Sequence, residues 1–282
     1  MSAAQPIGTD TAPPDGVAPV DGIRVGIGGW THAPWRDNFY PAGLVQRREL
    51  EYASRRLSAI EVNGTYYGAQ KPETYAKWAA QAPAGFVFAA KAPKRIMHAP
   101  VLARTGGQVE DFLGGIAALG DRLGPIVWQF DRGLRVDRDD FAAFLELLPP
   151  AIDGRALRHV LDVRDPEFVD AGYLALARRH HMATVFTDSQ EHPSFADVTA
   201  DFVYTRLMRS RAGIATGYPA AELDRWAQRA RTWAGGGDPD DLPRIEPAPP
   251  AGGRRDVFVF FIAAAKQHNP AAAMALIERL RA

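Results

Sequence analysis

The sequence lacks several features that would assign it to a common class of protein. It has no cysteine, so disulfide bonds and thiolate catalysis are excluded. No stretch stays apolar over the ~18 residues that a membrane-spanning helix needs, so no membrane association is expected. The formal net charge is +0, which removes the long-range field that draws basic proteins to nucleic acid. These absences predict a soluble protein of a reducing compartment, which we expect to be the cytoplasm.

Short catalytic motifs are missing as well. Neither a G-x-S-x-G nucleophile elbow nor a phosphate-binding loop is present. Gly26-Ile27-Gly28-Gly29 ends a predicted strand, but the residues after it do not open a helix, which argues against a dinucleotide-binding fingerprint. His98 and His192 follow predicted strands, yet no His pair has metal-ligand spacing. We therefore predict neither a metal nor a cofactor.

The chain does contain repeated short apolar runs, each ending in a polar residue and followed by a helical stretch. Such β-branched and aromatic runs are typical of parallel strands buried on both faces. The predicted strands cover residues 23–28, 202–207 and 257–262, with five more ending at Asn63, Lys91, Gln129, Arg164 and Asp188. Eight strand-then-helix units predict an α/β fold, a single (β/α)8 TIM-like barrel, and the length of 282 residues fits one such barrel.

The composition of two segments sets the predicted domain boundaries. Residues 1–21 are rich in Ala, Pro, Gly and Asp and do not form a secretory signal, so we predict a disordered tail followed by one domain over 22–282. Residues 235–253 form a Gly-, Pro- and Asp-rich flexible insertion before the last strand. Such a loop lies on the face of a barrel opposite the site, so tail and insertion are expected to be dispensable for activity.

Alternation along each strand predicts which side chains face the barrel lumen. Ile60 and Val62 are expected to pack outward on helices, which directs Glu61 and Asn63 inward. The same argument selects a set at the carboxyl ends of the other strands, near the indole of Trp30: Lys91, Gln129, Asp162, Arg164, Asp188, Tyr204 and Arg206. This mixture of carboxylates, cations and amides predicts a pocket for a small polar or anionic ligand.

Structural roles compete with chemical ones for several of these side chains. Asp162 and Arg164 lie on one face of one strand, which favours a mutually satisfying ion pair over catalysis. Lys91 is expected either to neutralise Glu61 or to share a ligand with it, and a desolvated Lys91 is able to form a Schiff base. For Trp30, packing in the core is favoured over stacking on a ligand.

One part of the chain resembles a known family. The motifs are Gly28-Gly29-Trp30, Phe39-Tyr40-Pro41, Glu61-Val62-Asn63-Gly64-Thr65-Tyr66-Tyr67 and Lys91-Ala92-Pro93 with His98. From Ile23 to His98 the sequence is similar to the YecE-like family, catalogued as domain of unknown function 72, and a weaker similarity continues to the end. The resemblance implies a (β/α)8 barrel of unassigned activity. It also implies these signature positions: Trp30, Glu61, Asn63, Thr65, Tyr67, Lys91, His98, Gln129, Arg164 and Arg206.

The chain departs from the pattern of that family in its second half. Phe130-Asp131 stands where two prolines are common, and Val163-Arg164-Asp165 replaces Phe-Arg-His. Met208-Arg209 replaces His-Gly, and Phe261-Ile262-Ala263 replaces an Asn-rich strand end. The resemblance therefore implies an intact amino-terminal half of the site and an altered carboxy-terminal half.

These observations predict an enzyme or a diverged enzyme that acts on a small polar or anionic ligand. Glu61 and Lys91 are the candidates for chemistry, and the ligand-positioning set is Trp30, Asn63, Thr65, Tyr67, His98, Gln129, Asp162, Arg164, Asp188 and Arg206. One alternative is a ligand-binding barrel without catalysis. Another is action on phosphodiesters or nucleic acid through a basic rim of Lys94, Arg95, Arg206, Arg209 and Arg211, although the zero net charge favours solvated surface charge there. The substrate, the reaction and the oligomeric state stay open.

Overall fold

A computed structural model describes residues 15–133 and 137–282 and shows a closed barrel of eight parallel strands. The strands are β1 (Ile23–Gly28), β2 (Ala59–Val62), β3 (Val87–Lys91), β4 (Leu123–Phe130), β5 (His159–Val163), β6 (Ala183–Thr187), β7 (Phe202–Leu207) and β8 (Asp256–Phe261). They pair in chain order, and β1 closes the barrel against β8. The prediction of a single (β/α)8 barrel is confirmed.

Helices surround the barrel. They are α1 (Glu49–Arg56), α2 (Gly64–Tyr67), α3 (Pro72–Gln81), α4 (Lys94–Met97), α5 (Gly106–Ile116), α6 (Arg138–Glu146), α7 (Ala171–Arg179), α8 (Ala220–Ala234) and α9 (Asn269–Arg281). A short antiparallel pair, Ala151–Ile152 with Arg155–Ala156, precedes β5. Residues 188–201 connect β6 to β7 without a helix. Among the described residues, no helix has the length and apolar composition that crossing a membrane requires.

Local sequence explains where several helices begin and which face they bury. The carboxylate of Asp137 accepts hydrogen bonds from the backbone N–H groups of Asp139 and Asp140 at 2.9 and 3.2 Å, which caps α6. Pro72 opens α3, where its missing N–H is not needed. The apolar stripe predicted for α8 is buried: Leu223, Trp226, Ala227, Ala230 and Trp233.

Strand residues alternate between two hydrophobic cores. Ile60, Val62 and Leu161 face the helices, as predicted. The lumen core contains the inward-facing apolar side chains, among them Ala59, Ala89, Val127, Val160, Val185, Tyr204, Phe258 and Phe260. Because side chains alternate with period two, the next inward position on several strands falls at the carboxyl end of the barrel. There the polar residues predicted from the sequence are found.

Two predicted peripheral segments contact the barrel where they are described. Residues 1–14 of the predicted tail, which spans residues 1–21, lie outside the described residues. In the described remainder of the tail, Val17 and Val20 pack against the outer core. The predicted flexible insertion, residues 235–253, has no regular structure and leads into β8. Leu242 and Ile245 of this segment pack on the outer core, and Asp197 accepts a hydrogen bond from the Ile245 N–H at 2.8 Å. Its dispensability for activity stays a prediction.

Candidate functional site

A buried ion network forms the floor of the candidate site. Arg206 of β7 donates from Nε to Glu61 Oε2 of β2 at 2.8 Å and from Nη1 to Asp162 of β5. The Tyr204 hydroxyl donates to the same Glu61 oxygen at 2.6 Å. All four side chains are buried. The network therefore ties three strands together across the lumen.

The electrostatics of this floor keep its charges fixed. Burial alone would raise the pKa of Asp162, but the nearby cations Arg206, Arg164 and Lys91 outweigh it and hold that pKa below its usual value. Burial disfavours the charged form of Arg206, yet the carboxylates of Glu61 and Asp162 raise its pKa above the usual value. Asp162 thus stays ionised and Arg206 stays protonated at neutral pH.

Lys91 has a different environment from these paired groups. It ends β3 as a buried side chain, and its ammonium lies 3.9 Å from the centroid of the Tyr66 ring. Among the described residues, the ammonium forms no salt bridge with Glu61 or Asp162, because both carboxylates bind Arg206. Burial, together with the positive charge of Arg206, lowers the pKa of Lys91 to about 8. A lysine of this kind supplies a neutral amine near physiological pH, as nucleophiles and general bases must.

Asp131 organises the exposed side of the site. Its Oδ2 accepts a hydrogen bond from the Tyr66 hydroxyl at 2.6 Å and lies 3.0 Å from His98 Nε2. Gln129 donates from Nε2 to the other carboxylate oxygen. Burial would raise the pKa of Asp131, but the hydrogen bonds from Tyr66, His98 and Gln129 lower it overall. The ring beneath Lys91 is thereby held in place from the rim.

Four buried polar atoms in this region lack a hydrogen-bond partner among residues 15–133 and 137–282. They are Glu61 Oε1, Gln129 Oε1, Arg206 Nη2 and His192 Nδ1. His192 lies close enough to Arg164 that burial, with this positive charge, lowers the pKa of the imidazole. Since buried polar atoms are almost always paired, these four atoms are available to bind water or a ligand.

The structure brings most of the predicted site residues together. They are Glu61, Lys91, His98, Gln129, Asp162, Arg164 and Arg206. The predicted pair of Asp162 and Arg164 is confirmed by a hydrogen bond of 3.2 Å from the Arg164 Nε. Glu61, in contrast, pairs with Arg206 and Tyr204 rather than with Lys91. Thr65 is buried and donates to the carbonyl of Lys91 at 2.6 Å, so it supports the strand end.

Asp188 and Tyr67, two of the predicted site residues, point away from this cluster. In β6, Ala183 and Val185 face the lumen. Because side chains alternate along a strand, Thr187 takes the next inward position and Asp188 points outward, so the predicted inward direction of Asp188 was wrong. Asp188 instead accepts hydrogen bonds from the Met208 N–H at 2.5 Å and the Tyr218 hydroxyl at 3.0 Å. Tyr67 is 86% exposed on α2, because its neighbour Tyr66 takes the inward position.

Three residues of the site were not predicted from the sequence. Tyr66 was named only as part of the motif that follows β2, and Asp131 only as a departure from the family pattern, so neither was predicted to belong to the site. His192 was considered only as a metal ligand. A signal existed for Asp131, since it follows Gln129 by two residues and so continues the inward alternation beyond the strand. His192 lies in an irregular connection, where no periodicity predicts direction.

Trp30 and Asn63 lie beside the cluster rather than in it. Both line a separate cavity of about 380 Å³ at the carboxyl ends of β1 and β2. Trp30 also packs on the outer core, with its ring centroid 5.0 Å from that of Trp78. The predicted core role of Trp30 is thus correct, and part of the indole additionally faces the cavity.

The predicted absence of a metal stays a prediction. Among the described residues, no group of three or more His, Asp and Glu side chains is placed to hold a metal ion. His98 and Asp131 pair with each other, and the described part of the chain adds no third such ligand to them.

Comparison with known sequences places this geometry in a family. Residues 24–282 match the family profile described as "Protein of unknown function DUF72". The UPF0759 protein YecE of Escherichia coli, in strain K12 and in O157:H7, is 28% identical over 152 residues, which are 53% of this chain and 51% of the relative. The chain therefore spans about half the length of the curated relatives that it matches.

Solved structures show the same fold at low sequence identity. A DUF72 family protein from Thermotoga maritima superposes with a TM-score of 0.69 at 18% identity, covering 92% of this chain and 98% of that one. One from Enterococcus faecalis gives 0.67 at 16% identity, with coverage of 92% and 96%. Since the profile matches nearly the whole described barrel, the chain belongs to the DUF72 family.

Proposed function

We propose that this barrel is an enzyme that binds a small polar or anionic ligand carrying hydroxyl and carbonyl groups, and that Lys91 transfers a proton to or from it. The observation that carries the proposal is the state of Lys91, a buried lysine whose ammonium lies against the Tyr66 ring and whose pKa is lowered to about 8. A lysine kept only for stability would be paired with a carboxylate. Two carboxylates are near, yet both bind Arg206.

The unpaired atoms favour a hydroxylated ligand. Glu61 Oε1 and Gln129 Oε1 are acceptors, whereas Arg206 Nη2 is a donor. A hydroxyl group donates and accepts, so it satisfies both kinds of atom, and a carbonyl or carboxylate oxygen accepts from Arg206 and Lys91. The cluster contains as many carboxyl side chains (Glu61, Asp131 and Asp162) as lysine and arginine side chains (Lys91, Arg164 and Arg206). Such a balance suits a polar ligand better than a highly charged anion.

The roles in proton transfer follow from these positions. Neutral Lys91 accepts a proton from the carbon next to the ligand carbonyl and becomes an ammonium ion. The electron pair of that C–H bond forms the carbon–carbon double bond of an enolate, and the π pair of the carbonyl moves onto its oxygen. There the free Arg206 Nη2–H stabilises the developing charge. Glu61, held by Tyr204 and Arg206, orients a neighbouring hydroxyl through its unpaired oxygen.

Hydrogen–deuterium exchange at carbon tests this proposal, because its signal is the same whichever product forms. The protein is incubated in D₂O with small hydroxycarbonyl compounds, including dihydroxyacetone, glyceraldehyde, hydroxypyruvate and ribulose, and loss of the α C–H signal is followed by proton NMR. We expect enzyme-dependent exchange for at least one compound, abolished by Lys91→Met. The control is Lys94→Met, an exposed lysine on α4, which should retain full exchange.

Other results would assign a different role to Lys91. Binding seen by ligand-observed NMR without any exchange would favour a ligand-binding barrel without catalysis. Borohydride-dependent mass addition on Lys91 would show a Schiff base in place of simple proton transfer. Exchange that persists in Lys91→Met would contradict the proposed role of the amine.

The nucleic-acid alternative receives less support from the geometry. Arg206, counted in the predicted basic rim, is buried and bound to two carboxylates. Arg211 pairs with Glu222 at 3.4 Å, which leaves Lys94, Arg95 and Arg209 as exposed positive groups. Action on nucleic acid stays a prediction, and salt-dependent DNA or RNA binding would be its signature.

A further inference from the structure

A second opening lies beside the ion network, between the ends of β1 and β2 and the segment that follows β8. Its volume is about 380 Å³, and it is lined chiefly by Gly29, Trp30, Asn63, Gly64, Trp78 and Lys266. Cavities of roughly 300–1,000 Å³ are usual for small-molecule sites. The opening is therefore large enough for one or two fused rings, and the proton transfer proposed above does not use it.

Two indoles make one wall rigid and apolar. The Tyr40 hydroxyl donates a hydrogen bond to the Trp30 carbonyl. The Trp30 ring packs edge-on against Trp78 at 5.0 Å and against Phe88 at 6.3 Å. An aromatic ligand gains from such a surface because ring contacts combine apolar burial with favourable quadrupole geometry.

Glycine backbone forms another part of the lining. A Cβ atom built on Gly29 or Gly64 would meet nothing within 4 Å, so both positions border open space. Gly29 has a φ of +75°, in the region that favours glycine. Gly64 has no such requirement, and a larger residue there would project without backbone strain. A larger side chain at position 64 would therefore fill the open volume beside Gly64.

The polar groups of this cavity include one cation and no carboxylate. Trp35 Nε1 donates to the Lys266 carbonyl at 2.8 Å, which fixes the backbone that carries the ammonium. That ammonium lies 5.4 Å from the Trp35 ring centroid and has no carboxylate partner within the described part of the chain. The Asn63 side-chain amide also lines the cavity. An anionic group on a ligand would satisfy both.

The cavity adjoins the proposed reaction centre. Gly28 is the register partner of Glu61, and the Gly29 N–H donates to the Glu61 carbonyl at 2.8 Å. Asn63 follows Glu61 by two residues, so it continues the same inward face toward the rim. The cavity therefore borders the end of the strand that carries Glu61.

We propose that this cavity is a second binding subsite, which accepts a flat aromatic group bearing a carboxylate or phosphate, with the ring against Trp30 and the anion on Lys266. This proposal rests on the proposed function in one respect only: the part of the ligand that lies outside this cavity would reach Lys91 and Glu61. The subsite itself is testable without any turnover.

The experiment measures binding of indole-3-acetate, with indole and acetate as the two partial probes, by calorimetry and ligand-observed NMR. We expect indole-3-acetate to bind the full chain and Gly64→Leu to remove that binding. Gly114→Leu is the matched control, because Gly114 of α5 also borders open space but lies outside the cavity. Lys266→Met should weaken indole-3-acetate roughly tenfold, as loss of a charged hydrogen bond does, and leave indole unchanged.

The outcomes separate this subsite from the proposed function. No binding of indole-3-acetate, or equal binding by Gly64→Leu in a variant with an unchanged circular dichroism spectrum, would overturn the subsite. Binding lost in Lys91→Met but kept in Gly64→Leu would place the probe in the ion network and also overturn it. Gly64-dependent binding in a protein that catalyses no exchange would support the subsite while the proposed function fails.

Discussion

At the scale of single residues, Lys91 links burial to reactivity. Its pKa of about 8 leaves about a tenth of the amine neutral at pH 7, against a negligible fraction for an ordinary lysine. Proton exchange that uses the neutral amine should therefore rise about tenfold per pH unit below pH 8 and level off above it. The measurement is the exchange rate from pH 6 to 9, with a carbon NMR titration of the Lys91 side chain. A titration near the usual lysine value would contradict this.

Ala263 and Ala264 are a second feature at this scale. They follow β8 with φ of 57° and 45°, where alanine is strained. We expect Ala264→Gly to raise the free energy of unfolding by about 1 kcal/mol, because glycine adopts this conformation without a Cβ clash. Urea denaturation measures the change. As a control, Ala76→Gly in the middle of α3 should lower the free energy by about 1 kcal/mol, and equal losses in both variants would refute the strain argument.

The same conformation bears on the Asn-rich strand end implied by the family resemblance. Asparagine tolerates positive φ better than alanine does. Asn side chains at this end would therefore suit the backbone whether or not they take part in chemistry. The replacement by Phe261-Ile262-Ala263 that the resemblance implies thus has a conformational consequence at Ala263 that is independent of catalysis.

At the scale of elements, the segment of residues 235–253 is held by a buried carboxylate. Asp238 contacts Arg244 and Arg255 at 3.1 Å each, and its side chain is 3% exposed. We expect Asp238→Ala to lower the free energy of unfolding by about 2–3 kcal/mol, because two partly buried guanidinium groups lose their partner. The segment leads into the amino end of β8, so the exchange activity should stay unchanged. Chemical denaturation measures the free energy of unfolding, and the exchange assay measures the activity. Loss of activity in a folded variant would contradict the prediction that this segment is dispensable.

At the scale of the whole molecule, Arg206 closes the network across the barrel. Arg206→Met should lower the free energy of unfolding by about 3–5 kcal/mol, since Glu61 and Asp162 would stay buried without compensation. Lys91→Met should change it by less than about 1 kcal/mol, because no carboxylate depends on Lys91 for a hydrogen bond. Thermal and urea unfolding measure both changes.

A surface pair provides the control for that comparison. Arg211→Met breaks an exposed contact with Glu222 and should shift stability by no more than about 0.5 kcal/mol. A large loss in Lys91→Met, equal to that in Arg206→Met, would show that Lys91 is structural and would remove the main support for its role in proton transfer.

Much of the architecture was predictable because it depends on local pattern. The bounds of β1 and β7 agree with the apolar runs, and the buried face of α8 agrees with the helical spacing. The inward direction of Glu61 followed from the alternation with Ile60 and Val62. Alternation failed for Asp188 because the run Ala183-Thr184-Val185-Phe186-Thr187 is buried on both faces, so hydrophobicity does not distinguish the lumen from the helices.

By itself, the sequence determined the barrel, its order of strands and most of the polar side chains at its carboxyl end, because these follow from periodicities of two and 3.6 residues. Only the tertiary structure decided which of those side chains pair. Arg206 meets Glu61 across 145 residues of chain and Asp162 across 44, so both contacts depend on closure and register of the sheet. The same closure places the amine of Lys91 against the Tyr66 ring rather than in a salt bridge, since both nearby carboxylates bind the arginine.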